Sequence, residues 1–127
     1  MYHQRQGGQR QFSSQLLAVS GEGDLVARLV QWLRPRVHEV IDVDRMADAV
    51  AVSSRSLDRR LRLDVGLSLA QLLVRLRMET ACSLLETGSH SIKQVACNAG
   101  FGTKYNLRRS FAKHMGVLPT EYRERFD

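Results

Sequence analysis

From Asp24 onward, apolar side chains recur at three- and four-residue spacing, interrupted by small, polar or helix-stopping residues. Leu25, Leu29, Val30, Trp32 and Leu33 fall on one helical stripe, which places Trp32 in the core, and Pro35 ends or kinks that helix. Asp42 stands where it can cap a short helix carrying Val43, Met46, Ala47 and Val50; Ser53 can cap another with Leu57 and Leu61 on its inner face. A long helix is expected from about Ser68 to Glu86, with a wide stripe of Leu69, Leu72, Leu73, Leu76, Ala81, Leu84 and Leu85 and a stop at Gly88. Ser91 with Gln94 makes a capping box that opens the helix of Val95 and Ala96. Gly100–Phe101–Gly102 reads as a turn, Thr103 caps a helix running to about His114, and a final helix starts near Pro119. Strand-like alternation is absent, so the expected fold class is all-α with about seven helices.

The pattern repeats itself. Leu57, Leu61, Gly66 and Leu72 match Leu107, Phe111, Gly116 and Tyr122 at an offset of 50 residues, and Ala47 matches Ala96 at 49. The difference of one places an extra residue in the second turn. Each copy reads as a capped short helix, a tight turn, a capped second helix, a glycine and an amphipathic helix. That is what a helix-turn-helix needs: a small residue where the helices cross, a turn of small residues, and apolar anchors on one face of the second helix so that its other face points outward. Ala51–Val52–Ser53 and Gly100–Phe101–Gly102 supply the turns. The expected organisation is a leader at 1–21, rich in glutamine and lacking a helical stripe, then a first helix-turn-helix subdomain at 22–67. A linker helix at 68–87 and a second helix-turn-helix subdomain at 88–127 follow.

Charge is distributed unevenly over this repeat. The chain carries a net +6, which alone says little about partners. Ser53–Arg62 holds four arginines against one aspartate, and Thr103–His114 holds Lys104, Arg108, Arg109 and Lys113 with no acid. These two second helices contribute +3 and +4, so everything else sums to about −1 and the positive charge sits in the helices that would enter DNA.

Other chemistries are poorly represented. Cys82 and Cys97 lie in helical stretches outside any metal-binding or disulfide pattern, which reads as buried, reduced thiols. His38, His90 and His114 show no ligand spacing, so neither metal nor cofactor is expected. Paired carboxylates, a nucleophile elbow and a phosphate loop are missing, so no enzyme is expected. No apolar run is long enough to cross a membrane and the polar N-terminus resembles no export signal; a cytoplasmic, nucleoid-associated protein is expected.

The segment IKQVACNAGFGTKYNLRRSFAKHMGVLPTEYR follows the signature of the AraC/XylS family of transcription regulators: GF, an apolar anchor, an arginine, a phenylalanine, then G-x-x-P-x-x-Y-R. The chain resembles that family from about Leu25 to Arg125. The LRRSF wording and the leader HQRQGGQRQF are most similar to its GlxA-like subgroup, in which a DJ-1/PfpI-like sensor domain precedes the DNA-binding part. The resemblance implies homeodomain-like helix-turn-helix subdomains that bind double-stranded promoter or operator DNA in successive major grooves, with RNA polymerase as a further partner and dimerisation through a sensor domain not contained in this chain. Leu69 stands where the family usually has proline, as Pro119 does in the second copy, so the start of the linker helix is expected to differ slightly. Leu107 replaces a common phenylalanine and serves equally as an anchor.

Carried over position by position, the resemblance implies DNA contacts from Ser54, Arg55, Asp58 and Arg59 in the first unit. In the second it implies Lys104, Tyr105, Asn106, Arg108 and Arg109. The chemistry suits them, because an arginine fork grips guanine O6 and N7 and an asparagine pairs with adenine. Arg59 and Arg109 hold equivalent places two residues beyond their anchors and are the first candidates. Asp58 could accept from cytosine or pair with Arg62 one turn on. Ser53 and Thr103, as caps at helix N-termini, and Arg60, Arg62 and Lys113 are candidates for phosphate contact. The alternative reading is a truncated regulator acting mainly as a protein-interaction module with a full-length relative or RNA polymerase.

Overall fold

The computed structural model describes residues 24–126; the leader lies outside them. Among the described residues there are seven α-helices and one 3-10 turn and no strand. They are α1 (Leu25–Leu33, followed by the 3-10 turn Arg34–Arg36), α2 (Val43–Ala49), α3 (Ser54–Val65), α4 (Leu69–Thr87), α5 (Ile92–Asn98), α6 (Lys104–Met115) and α7 (Pro119–Glu124).

The starts of these helices follow from local chemistry. Asp24, Asp42, Ser53, Ser68, Ser91 and Thr103 each accept a backbone N–H of the first turn that would otherwise lack a partner. Ser68 with Gln71 and Ser91 with Gln94 close reciprocal capping boxes. The helices α4 and α7 begin at equivalent repeat positions, Leu69 and Pro119, and their starts differ in how they are capped. The Ser68 side chain caps α4, whereas α7 has proline in its first turn and the Leu118 N–H donates to Glu121 Oε1.

Two hydrophobic clusters form the core. One gathers α1, α2, α3 and the N-terminal half of α4 through Leu69, Leu72, Leu73 and Leu76. The other gathers the C-terminal half of α4, through Met78, Ala81, Cys82 and Leu85, with α5, α6 and α7. The helix α4 is thus a wall of both cores, more than a connector. In the second core Phe111 and Tyr122 meet edge-on with ring centroids 5.6 Å apart, and Tyr122 Oη donates to Glu86 of α4 at 2.5 Å.

Two expectations about single side chains, Trp32 and Cys97, are corrected. Trp32 is only partly buried, on the rim of the first core. Its ring is covered by the guanidinium groups of Arg36 and Arg45, 4.8 and 5.6 Å from the centroid. Cys97 is exposed while Cys82 is buried. Val95 and Ala96 fill the inward arc of short α5, with Ala99 buried just past its end, which leaves Cys97 outside. Val43 at the start of α2 is 40% exposed, and Met46, Ala47 and Val50 carry the burial there.

Candidate nucleic-acid interface

In both repeats an alanine carbonyl at the end of the first helix organises the turn. Val52 N–H donates to the Ala47 carbonyl at 3.1 Å, and Phe101 and Gly102 N–H both donate to the Ala96 carbonyl at 2.8 and 3.0 Å. The second turn is longer by one residue, as the offsets of 49 and 50 require. Ala47 and Ala96 are both buried where the short helices cross α3 and α6. Leu57 and Leu61 anchor α3, and Leu107, Phe111 and Met115 anchor α6, all of them fully buried. Both helices end on a left-handed glycine, Gly66 and Gly116.

Inward anchors fix what points outward. Arg55, Arg59, Arg60 and Arg62 of α3 are exposed, as are Lys104, Tyr105, Asn106, Arg108, Arg109 and Lys113 of α6. Ser54 and Asp58 are partly exposed, and the caps Ser53 and Thr103 are exposed. The sequence-derived candidates therefore form two exposed basic faces, one on each repeat.

Several of these side chains are already held in place. Ser54 Oγ donates to Asp44 Oδ1 at 2.8 Å, tying α3 to α2. Asp58 accepts from Arg62 Nε at 2.9 Å, and Asp64 from Arg60 Nε at 3.3 Å. Such exposed pairs one turn apart are worth about 0.3–0.5 kcal/mol, so a phosphate or base edge can draw either arginine away. Asn106 Nδ2 donates to the Phe101 carbonyl at 3.2 Å, using one of two amide protons. The other proton and the oxygen still suffice for a two-point contact. The Arg109 guanidinium stacks 5.6 Å from the Tyr105 ring centroid. Tyr105 is itself 63% exposed.

Beside α6 lies a groove that the sequence did not reveal. Lys113 and His114 face Leu67, Ala70, Gln71, Val74 and Arg75 across it. His114 is held below its ordinary value of 6.5, first by burial and then by the positive charges of Lys113 and Arg75. Nothing in the spacing pairs Arg75 with His114; only the packing of α6 on α4 does. Among the described residues, no group of three or more His, Cys, Asp or Glu side chains could hold a metal ion. No helix among them is long and apolar enough to cross a membrane.

Two helix-turn-helix units, all-helical among the described residues and each presenting an exposed basic second helix, define a class of tandem helical DNA reader. The family model described as "Helix-turn-helix domain" matches residues 46–125. The chain is 31% identical over 96 residues to the HTH-type transcriptional activator RhaS of Escherichia fergusonii, covering 76% of this chain and 34% of that protein. Among solved structures, the DNA-binding domain of the global transcriptional factor AdpA, crystallised with a target DNA, matches with TM-score 0.72 and 35% identity. That match covers 79% of this chain and 90% of that one. A transcriptional regulator from Chromobacterium violaceum, described as containing an AraC-type DNA-binding domain, matches with TM-score 0.76 and 25% identity over 80% of this chain and 91% of its own. The chain belongs to the AraC/XylS family of helix-turn-helix DNA-binding domains. It spans about a third of the length of the curated relatives it matches.

Proposed function

We propose that this chain is the DNA-reading part of a transcription regulator, binding specific double-stranded sequences with α3 and α6 in successive major grooves. The observation that carries this reading is the paired geometry. Leu57 and Leu107 are fully buried at equivalent repeat positions, while Arg59 and Arg109, two residues on, are exposed. In this reading residues 22–67 and 88–127 are the two readers and 68–87 is the strut between them. Ser54, Arg55, Asp58 and Arg59, with Lys104, Tyr105, Asn106, Arg108 and Arg109, face base edges. Ser53, Arg60, Arg62, Thr103 and Lys113 face phosphate.

One molecule then reads two half-sites about 34 Å apart on one side of the duplex, without requiring a palindrome. The LRRSF wording supports the GlxA-like subgroup, whose sensor domain would supply effector response and dimerisation. RNA polymerase is the proposed further partner, and the nucleoid in the bacterial cytoplasm is the proposed place of work. The chemistry is recognition, with no enzymatic step.

Selection of the chain on randomised duplexes, followed by gel-shift titration of the winner against scrambled DNA, tests this. We expect nanomolar affinity for the winner and losses of about 1–3 kcal/mol for Arg59→Ala and for Arg109→Ala, each relaxing preference at its own base position. A chain acting mainly as a protein-interaction module would recover no motif. Both arginine variants retaining full affinity and preference would show that α3 and α6 are wrongly assigned.

A further inference from the structure

The two repeats allow an internal comparison that isolates one contact. Gly100, in the second turn, and Ala51, in the first, occupy equivalent places, and both have positive φ, 91° and 60°. Ala51 carries its methyl group at the surface. A Cβ on Gly100 would lie 1.9 Å from the Val37 carbonyl oxygen and 2.6 Å from Arg77 Nε. The first turn carries a methyl group at this place, whereas in the second repeat, beside the more positive φ of 91°, a neighbour from the first repeat stands where the methyl group would go. That neighbour is held in place from α4. Arg77 Nε donates to the Val37 carbonyl at 2.9 Å, and its terminal nitrogen donates to the Glu39 carbonyl at 2.8 Å. One turn back along the same segment, Arg34 forms a charged hydrogen bond to Glu79, also on α4. Burial lowers the Arg77 guanidinium below its ordinary value, in keeping with a place between packed elements, and it stays charged at neutral pH.

We propose that Arg77, by pinning the Val37–Glu39 segment against Gly100, is the positioning residue that sets the angle and separation of the two recognition helices. It thereby sets the half-site spacing the protein accepts. The inference rests on the double-reader function proposed above. Arg77 touches no DNA in this account; it acts through the second turn. Sharing α4 couples the cores along one axis only, and the Arg77–Val37–Gly100 contact supplies the second constraint that stops the readers from swivelling about that helix. Inserting one base pair between half-sites moves them apart by about 3.4 Å and about 34° of twist, so a stiff pair rejects the longer site and a loose pair follows it.

The test uses the whole chain with Arg77→Met, with Gly100→Ala as a lesion from the opposite side of the contact, and with Ala51→Gly as a control that leaves it alone. Each is titrated on the selected duplex, on a single half-site, and on the duplex lengthened by one base pair. Residual dipolar couplings of the free ¹⁵N-labelled proteins are measured in parallel. Wild type and Ala51→Gly should show one alignment tensor for both repeats and lose roughly tenfold or more on the lengthened site. Arg77→Met and Gly100→Ala should bind the single half-site within about twofold of wild type and the selected duplex about five- to tenfold more weakly. Their penalty for the insertion should shrink to about twofold and two tensors should appear.

Variants that keep one tensor and the full insertion penalty overturn the proposal, as do two tensors in wild type. If Arg77→Met loses its helical circular dichroism, Gly100→Ala decides. If wild type ignores the differences between duplexes, the double-reader function falls, and the tensors still decide whether Arg77 orients the repeats.

Discussion

At the scale of single residues, the same short list of side chains sets both local structure and readiness for DNA. Ser53 and Thr103 complete the first turns of α3 and α6 and also mark the N-terminal ends offered to phosphate. His114 is a residue whose charge responds to pH near neutrality, and the sign of its effect can be worked out. Burial and the nearby Lys113 and Arg75 hold its folded value below 6.5, so just beneath that value the unfolded chain binds more protons than the folded one. Its contribution to stability is complete above 6.5, declines as pH falls through that value, and levels off below the folded value. Urea midpoints measured between pH 8 and pH 5 should drop, and His114→Gln should flatten part of that drop. An unchanged drop in the variant would remove His114 as a cause. In the sequence this histidine shows no metal-ligand spacing, and the relevant neighbour, Arg75, is distant in the chain. The exposure of Cys97 has a related cause: short helices have apolar positions outside their inward arc, and only neighbouring elements decide which arc is covered.

At the scale of elements, nearly all of the helix plan was legible, because caps, stops and stripes are local signals. The offsets of 49 and 50 even located the longer turn. What could not be read was how α4 divides its surface, since one continuous stripe of leucines looks the same whether it serves one core or two. The division has a measurable consequence. Phe111 lies in the second core, and Trp32, the chain's single tryptophan, sits on the rim of the first. Phe111→Ala should cost about 3–5 kcal/mol, a large share of the roughly 5–15 kcal/mol typical of a whole domain. If α4 makes the cores one cooperative unit, Trp32 fluorescence should report the same lowered urea midpoint as far-ultraviolet circular dichroism. A Trp32 transition left at the wild-type midpoint would mean that the cores melt separately.

At the scale of the whole molecule, the concentration of charge in α3 and α6 governs how binding responds to ionic strength. Each phosphate neutralised in B-DNA should steepen the logarithmic salt slope by about 0.9. Arg60→Ala and Lys113→Ala should each flatten that slope by about 1 while leaving the preferred sequence unchanged, as gel shifts over a salt series would show. A change in preferred sequence would move that residue to the base-reading group. The exposed basic faces could be foreseen from the repeat and its charges. Their mutual orientation could not, because it depends on a backbone carbonyl, a half-buried guanidinium and the missing Cβ of Gly100, none of which leaves a periodic trace.

The double duty of α4 also restricts how such proteins can be recombined. A crossover placed within Leu69–Thr87 would join leucines fitted to one parent's first core to a Met78–Leu85 surface fitted to another's second. Chimaeras meant to exchange one half of an operator are better made by replacing Val43–Val65 or Ile92–Met115 as a block, with the host's long helix left whole.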